Sequence, residues 1–275
     1  MIQNFVHYTP QRNKLNITAF GVENLSSAPC ITFVHGFKGF KDWGFGPYIG
    51  NYFAEKGFFV LSFNFSHNGV GDSLTEFTEL DKFAENTFSL EIEELAEIVT
   101  LYQSSFFGET GNKKIFLLGH SRGGAIALLT ASKLNEVSAV AIWSSVSTFD
   151  RYSKRQKEQW RKKGYFDVFN TRTKQAMRLN VSLIDDLEKH KNDSLNIENA
   201  IRTLNRSLFI AHADQDLAVP IKEAEQIYEW SDKRITEFYK IIGAGHTFNC
   251  KHPFDGSNRK FDLLLEKTFN FFSTC

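Results

Sequence analysis

The sequence predicts an α/β fold with a mostly parallel central sheet and helices on both faces. Short apolar runs alternate along the chain with stretches of helical spacing. The apolar runs are continuous, as in strands that are buried on both sides of a parallel sheet. Proline and glycine also mark helix ends, since Pro47 stands at the start of one helical stretch and Gly57 just after its end. Together these observations favour the α/β class.

Seven strands and five helices follow from this pattern. The predicted strands are Leu15–Phe20, Cys30–Val34, Phe58–Phe63, Lys114–Leu118, Ala139–Trp143, Ser207–Ala211 and Thr236–Ile242. The predicted helices are Pro47–Lys56, Leu80–Tyr102, Gly124–Leu134, Ile221–Trp230 and Lys260–Phe272. Sheets of this kind bind ligands at the carboxyl ends of their strands, so the loops that follow the strands are where functional residues are expected.

One interval breaks the alternation. Residues 148–205 contain no strand-like run and several stretches of helical spacing, and the interval is too long for a simple crossover. We interpret it as a helical cap, inserted over the strand ends of a single domain that spans residues 1–275.

A Gly-x-Ser-x-Gly sequence, Gly119 to Gly123, lies between an apolar strand and a helix and places Ser121 at the turn. In a nucleophile elbow, the turn is so tight that glycine is needed two residues before and two residues after the serine. The alternative is a glycine-rich turn in which Ser121 only caps the next helix. The strand-to-helix context favours a nucleophile.

Three further segments end strands in the same way. His35-Gly36-Phe37 follows Ile31–Val34, an acidic loop with Asp214 and Asp216 follows the strand from Ser207, and His246 follows the strand from Thr236. Residues far apart in sequence are therefore expected to meet at one edge of the sheet. The chain order Ser, Asp, His is the order of α/β-hydrolases, not that of chymotrypsin-like or subtilisin-like enzymes.

These four segments resemble the α/β-hydrolase superfamily over nearly the whole chain. In size, in the His-Gly-Phe loop and in the insertion before the acidic strand, the chain is similar to small bacterial carboxylesterases of the dienelactone-hydrolase and feruloyl-esterase type. It departs from them in two ways. The loop Ser66–Ser73 lacks their tighter Gly-His-Gly form, and the nucleophile is serine where dienelactone hydrolases proper use cysteine.

The resemblance assigns a role to each motif. A serine hydroxyl needs a base, and the base needs an anion that fixes its tautomer. His246 is the predicted base and Asp216 the predicted acid. Asp214 and His252 are the competing candidates. Asp216 is preferred because the superfamily places its acid three residues before the valine of a Val-Pro pair, which is Val219 in this chain. His252 is expected to be a surface histidine.

The same resemblance implies an oxyanion hole formed by the backbone N–H groups of Phe37 and Arg122. His35 is expected to hold this loop in place. Phe37, His120 and Trp143 are the candidate substrate-binding side chains, although simple packing is the favoured interpretation for His120 and Trp143.

Composition limits the function classes. Lys plus Arg and Asp plus Glu both number 32, so the net charge is zero and gives no general attraction to nucleic acid or membrane surfaces. The three cysteines lack disulfide or metal-ligand spacing, and no metal or organic cofactor is predicted. No signal segment or apolar span of 18 residues is present, so a cytoplasmic setting is expected. The sequence leaves the oligomeric state open.

Two segments are strongly charged. Residues 151–180 hold ten Lys or Arg against two acids, and residues 76–97 hold eight acids and only Lys82. The simplest interpretation of each run is a solvated helix face. The functional alternative is that the basic part of the cap steers an anionic substrate toward the site.

The predicted function is that of a serine hydrolase that cleaves small-molecule carboxylic esters through an acyl-enzyme intermediate. Three alternatives stay open at this point. They are a peptidase similar to the catalytic domain of prolyl oligopeptidases, an acyltransferase, and a ligand-binding relative that keeps the fold without catalysis.

Overall fold

The computed structural model of the protein describes residues 1–71, 76–171 and 173–275. Asp72 and Ser73 of the predicted loop, and Arg172 of the basic run, lie outside the described residues. The strands are β1 (Ile2–Tyr8), β2 (Lys14–Phe20), β3 (Cys30–Val34), β4 (Phe59–Asn64), β5 (Ile115–His120), β6 (Val137–Trp143), β7 (Tyr165–Asn170), β8 (Gln175–Asn180), β9 (Ser207–Ala213) and β10 (Thr236–Ile241). The helices are α1 (Gly46–Glu55), α2 (Leu80–Ala84), α3 (Phe88–Gln103), α4 (Arg122–Ala131), α5 (Lys154–Lys163), α6 (Val181–His190), α7 (Ile197–Arg202), α8 (Ile221–Trp230) and α9 (Arg259–Thr274).

Within the described part of the chain, eight strands form the central sheet in the order β1-β2-β4-β3-β5-β6-β9-β10. Every neighbouring pair from β4 to β10 is parallel. β2 is antiparallel to both of its neighbours, β1 and β4. The predicted fold class, a mostly parallel sheet with α/β connections, is therefore confirmed.

Successive side chains of each central strand point to opposite faces, and each face has its own core. Leu117 of β5 packs in the core that includes Ile92 and Leu95 of α3. Its neighbours Phe116 and Leu118 pack in the core that includes Phe261 of α9. This alternation explains why the strands read as continuous apolar runs, since both faces are covered by helices.

Two local predictions along the chain were wrong. β1 was not predicted because most of its residues are exposed and it has no apolar run; it is held at the sheet edge by pairing along its whole length with β2. The single helix predicted from Leu80 to Tyr102 is two helices. The second helix, α3, begins at Phe88 and has Thr87 as its N-cap. The Thr87 hydroxyl accepts a hydrogen bond from the N–H of Leu90 (3.2 Å), as expected of an N-cap.

The insertion between β6 and β9 is not purely helical, which corrects the prediction for residues 148–205. It holds α5, α6 and α7, and also the antiparallel pair β7 and β8. In β8, Met177 and Leu179 are buried while Ala176 and Arg178 are exposed. Such half-buried strands are short and rich in polar residues, so their sequence shows no continuous apolar run.

Candidate active site

Ser121 lies at the turn between β5 and α4, in a strained conformation with φ 57° and ψ −123°. The tightness of this turn explains both glycines. A Cβ on Gly119 would lie 2.4 Å from the carbonyl oxygen of Gly123, and a Cβ on Gly123 would lie 2.3 Å from the carbonyl oxygen of Val34. Neither distance is possible for a real side chain, so the elbow needs glycine at both positions. The backbone N–H of Ser121 donates to the carbonyl of Trp143 on β6 (2.9 Å), which fixes the turn to the sheet.

The structure brings the three predicted residues together. His246 Nε2 lies 3.0 Å from Ser121 Oγ, and His246 Nδ1 lies 2.7 Å from Asp216 Oδ2. Both distances are within hydrogen-bond range. These two hydrogen bonds place a base next to the serine hydroxyl and an acid on the far side of the base. Nucleophilic catalysis by serine requires this geometry.

Asp216 is held as an anion beneath His246. Burial raises the pKa of its carboxyl, but the hydrogen bond with His246 and the backbone N–H of Val219 outweigh burial, so the pKa is below its usual range. Oδ1 accepts from the N–H groups of Ala218 (2.9 Å) and Val219 (2.8 Å), which leaves Oδ2 for the imidazole. The Val-Pro segment named by the resemblance therefore orients the carboxylate.

The two competing candidates lie elsewhere. Asp214 Oδ1 accepts a hydrogen bond from the N–H of Gly243 (2.6 Å) and so joins two loops. His252 was predicted to be a surface residue, and this is wrong. It is partly buried, its Nδ1 accepts from the N–H of Gly44 (2.9 Å), and its ring stacks on Trp43 with 5.6 Å between centroids.

The His120 side chain contacts the backbone of His246. Its Nε2 lies 2.9 Å from the carbonyl oxygen of His246, so the ring donates there and holds the loop that carries the base. Burial, together with the neighbouring His246, lowers the pKa of His120 to about 3. A ring that stays neutral and donates through Nε2 is a fixed support for the loop. It also lines the smaller of two cavities at Ser121.

The loop after β3 contacts the nucleophile directly. A Cβ on Gly36 would lie 2.9 Å from Ser121 Cβ, so only glycine lets the loop approach this closely. His35 Nδ1 lies 3.0 Å from the Gly36 carbonyl oxygen, which also accepts from the N–H of Gly39 (3.0 Å). Both bonds fix the Gly36–Phe37 peptide. Because a trans peptide points its N–H away from its carbonyl, the Phe37 N–H faces the opposite side.

The second predicted oxyanion donor is the N–H of Arg122. Arg122 is the first residue of α4, so its N–H has no acceptor within the helix. The positive end of the helix dipole lies at the same point, which favours negative charge there. His35 is itself kept neutral, since burial lowers its pKa to about 4.

Two cavities meet at Ser121 and His246. The smaller, about 50 Å³, extends under the His35–Phe40 loop toward Trp43 and Phe45. The larger, about 380 Å³, extends toward the start of the insertion. It is lined by Phe37, Lys38, Phe88, Ser121, Arg122, Val146, Thr148, Phe149, Arg151, Tyr152, Ala218, Val219 and His246. Phe37 lines both cavities, and its contact with substrate stays a prediction.

Trp143 does not line either cavity, and its predicted role in substrate binding is wrong. Its side chain is fully buried, and its Nε1 donates to Thr268 Oγ1 on α9 (3.1 Å). The last residue of β6 points toward the α9 face of the sheet, and only its backbone carbonyl contributes to the site.

The buried pair of Arg122 and Glu91 was not predicted from the sequence. Arg122 Nη1 lies 3.3 Å from Glu91 Oε1, and the guanidinium carbon lies 4.2 Å from the centre of the Phe37 ring. Glu91 was assigned to a solvated acidic face, yet it is buried, and burial raises the pKa of its carboxyl despite the nearby Arg122. A signal was present: Glu91 falls in the apolar stripe of α3 with Phe88, Ile92 and Leu95.

Of the described residues in the basic run 151–180, only Arg151 and Tyr152 line the larger cavity, and none of the other cations of the run does so. Its helix α5 is largely exposed, and several of its cations are paired with acids of the insertion. Arg161 contacts Asp185 (2.5 Å) and Glu188 (2.6 Å), and Lys163 contacts Asp167. The cations that do line the cavity are Lys38, Arg122 and Arg151.

No helix in the described part of the chain combines the length and the apolarity that a membrane span requires. That part also holds no group of three or more His, Cys, Asp or Glu side chains placed to bind a metal ion.

The chain belongs to the α/β-hydrolase fold family, whose model matches residues 29–185. The matched range includes β3 to β6 and the nucleophile elbow. Comparison with curated proteins gives no match.

Solved structures of low identity share the fold over almost the full length. The esterase domain of a Rhodothermus marinus protein is 18% identical, with 98% of this chain and 97% of that chain covered and a TM-score of 0.66. A putative hydrolase from Agrobacterium vitis is 15% identical, with 98% and 99% covered and a TM-score of 0.75. Est1E from Butyrivibrio proteoclasticus, solved with bound ferulic acid, is 18% identical, with 95% of both chains covered and a TM-score of 0.71. The predicted resemblance to α/β-hydrolases is confirmed by the family and by these folds.

Proposed function

We propose that this protein is a serine hydrolase that cleaves carboxylic esters through an acyl-enzyme intermediate. The observation that carries the proposal is the hydrogen-bonded chain from Ser121 through His246 to Asp216, with distances of 3.0 and 2.7 Å. It lies at the mouth of two cavities that can hold the two parts of an ester.

In the first half of the reaction, Ser121 Oγ attacks the ester carbonyl carbon while His246 Nε2 takes the hydroxyl proton. Asp216 stabilises the imidazolium that forms, and it stays ionised because its pKa is lowered. The carbonyl oxygen becomes negative and accepts from the N–H groups of Phe37 and Arg122. The tetrahedral intermediate then collapses as His246 gives its proton to the departing alkoxide, which leaves as an alcohol.

In the second half, water replaces the alcohol. His246 takes a proton from the water, the hydroxide attacks the acyl carbon, and the same two N–H groups stabilise the second oxyanion. Collapse releases the carboxylic acid and returns the proton to Ser121 Oγ. Each residue acts twice in the cycle, so the site needs no further proton carrier.

We propose esters rather than amides as substrates because of the names of the solved structures with a similar fold. Two of the structures described above are called esterases or bind ferulic acid, a product that an ester of an aromatic acid would release. The proposal for this chain carries over only the reaction type, cleavage of an ester, and not the acid.

The test combines a covalent probe with turnover. A fluorophosphonate probe should label the protein at Ser121, and p-nitrophenyl esters of graded chain length should be hydrolysed. Ser121→Ala should lose both labelling and hydrolysis. Ser132→Ala, a change at a serine past the end of α4, is the matched control and should keep both. Absence of labelling and of ester hydrolysis in the folded, unmodified protein would contradict the proposal.

A further inference from the structure

The larger cavity has a chemical character that the reaction itself does not require. Its lining combines aromatic rings with the cations Lys38, Arg122 and Arg151, and no acid is found among its described lining residues. A plain apolar ester carries no anionic group for a cation to bind, so a cavity for such an ester would need no cation in its lining. The cations therefore call for an explanation of their own.

Arg122 forms part of the lining of the larger cavity. Its side chain is almost completely buried, and its guanidinium carbon lies 4.2 Å from the Phe37 ring centre and 4.9 Å from that of Phe88. Both rings favour a cation at this point. Nη1 contacts Glu91, and the other guanidinium N–H groups have no hydrogen-bond partner among the described residues. These donors are available to a ligand in the cavity.

Arg151 lines the same cavity and belongs to the start of the insertion. Its Nη1 contacts Glu223 Oε1 (2.6 Å) and its Nη2 donates to the carbonyl of Ala218 (2.9 Å). Glu223 is also held by the N–H of Ser147 (2.8 Å), so the acid is anchored from the protein side. Glu91 and Glu223 thus pair with the two guanidinium groups but do not themselves line the cavity. Among the described lining residues, no side chain carries a negative charge.

Aromatic rings form much of the remaining lining. Phe88 and Phe149 stack with 4.1 Å between ring centres and an interplanar angle of 8°. Tyr152 lines the same cavity and packs on Trp160 and Phe166 of the insertion. These rings suit a hydrocarbon chain or an aromatic ring between the ester and the charged end of a substrate.

We propose that the preferred substrate is an ester that carries a carboxylate at the far end of an apolar chain or ring, with that carboxylate bound by Arg122 and Arg151. This inference rests on the proposed function for the reaction and adds the class of substrate. A guanidinium presents several N–H donors in a plane, which matches the two oxygens of a carboxylate.

The carboxylate could stand on the acyl part or on the alcohol part of the ester, and two substrate pairs separate these sources. For the acyl part, mono-p-nitrophenyl adipate is compared with p-nitrophenyl hexanoate. For the alcohol part, 4-butyryloxybenzoate is compared with 4-butyryloxybenzamide. In one of the two pairs, kcat/KM should be at least about tenfold higher for the anionic ester, the range expected for a hydrogen bond to a charged group. Equal values in both pairs would overturn the proposal.

Variants then assign the effect to the cavity. Arg151→Gln should lower kcat/KM for the preferred anionic ester about tenfold or more, and that of its neutral partner less than about threefold. The change is suited to the test because Ser147 still holds Glu223. The double variant Arg122→Gln with Glu91→Gln should act in the same direction without leaving an unpaired buried acid. Arg155→Gln, on the exposed face of α5, is the matched control and should keep the preference. An equal loss on both esters in Arg151→Gln would refute the assignment.

A binding measurement separates this inference from the proposed function. Ser121→Ala is titrated with monomethyl adipate and with methyl hexanoate, and binding is followed by NMR. Tighter binding of monomethyl adipate that is lost in Ser121→Ala with Arg151→Gln supports the inference even if the unmodified protein hydrolyses no ester. Hydrolysis of neutral esters without such binding, and without a preference for the anionic ester in either substrate pair, would overturn the inference and leave the proposed function standing.

Discussion

The loops at the carboxyl ends of the central strands, which we call the sheet edge, differ from the insertion between β6 and β9 in the contacts that hold their side chains. At the sheet edge, backbone groups fix the site: the Ser121 N–H bonds to the Trp143 carbonyl (2.9 Å), and His120 bonds to the His246 carbonyl (2.9 Å). In the insertion, exposed ion pairs such as Arg161 with Asp185 join the helices. Buried backbone contacts tolerate little change, whereas exposed pairs contribute little each. The reaction is therefore expected to depend on the first region and the choice of substrate on the second.

The largest expected effect is at Ser121 and His246. Ser121→Ala, His246→Ala and the double variant should each lower kcat for a p-nitrophenyl ester by about 10⁴ to 10⁶, because residues that act together lose their effect together. Asp216→Asn should cost somewhat less. Steady-state kinetics of the purified variants measures this.

Two changes nearby serve as controls for that result. Asp214→Asn and His252→Ala remove side chains that bond to Gly243 and Gly44 rather than to His246, so most activity should remain. A severe loss in Asp214→Asn with normal activity in Asp216→Asn would show that the acid is wrongly assigned.

The second largest effect is expected at Gly36, where the loop after β3 packs directly against Ser121. In Gly36→Ala, the added Cβ would lie 2.9 Å from Ser121 Cβ, so the loop must move away and carry the Phe37 N–H with it. Loss of one oxyanion donor costs about 10² to 10³ in kcat, with a smaller change in KM.

Gly164→Ala is the matched control for this loss. It places a Cβ at a residue with φ 87° and no atom within 4 Å, so it strains the end of α5 without touching the site. Its kcat should stay unchanged while stability falls by about 1 kcal/mol. An active Gly36→Ala enzyme would mean that the loop does not supply a donor.

A third effect concerns stability and the buried carboxyl of Glu94 on α3, which bonds to Ser66 in the loop after β4. Burial raises the pKa of Glu94 to about 7, against hydrogen bonds from the N–H and hydroxyl of Ser66 and with Glu91 and Glu93 nearby. The folded protein therefore binds a proton more tightly than the unfolded chain between about pH 4.5 and pH 7. Stability from this group is present below that window and is lost as the pH rises through it.

Glu94→Gln removes this titration. The free energy of unfolding of the variant relative to the unmodified protein should rise by about 1 to 3 kcal/mol between pH 5 and pH 8 in urea melts. Glu93→Gln, an exposed neighbour on the same helix, should show no such trend. A constant difference for Glu94→Gln across this range would show that Glu94 titrates normally.

The contrast between the two regions also explains what the sequence could predict. The elbow, the Val-Pro segment and the His35–Phe37 loop are local patterns at strand ends, so Ser121, Asp216 and His246 could be placed near one another before the fold was known. β7 and β8 were missed because they lack the continuous apolar run of a buried strand, whereas the pair Arg122 with Glu91 depends on a contact between distant segments. Trp143 was misassigned because sequence position gives nearness to the site but not the face of β6 toward which its side chain points.

The smallest expected effect is that of the exposed charges of α5, and it defines how far the insertion acts. Replacing Lys154, Arg155, Lys157, Arg161, Lys162 and Lys163 with Gln removes the basic run that would steer an anionic substrate. These residues do not line the larger cavity, and Arg161 and Lys163 are paired with acids of the insertion. Charges at the surface are screened within about 10 Å at 0.1 M salt. We therefore expect kcat/KM to change less than about twofold for both mono-p-nitrophenyl adipate and p-nitrophenyl hexanoate. A selective loss on the adipate ester that disappears as salt is raised would instead assign steering to α5, and the selective part of the insertion would then extend from Arg151 to the whole helix.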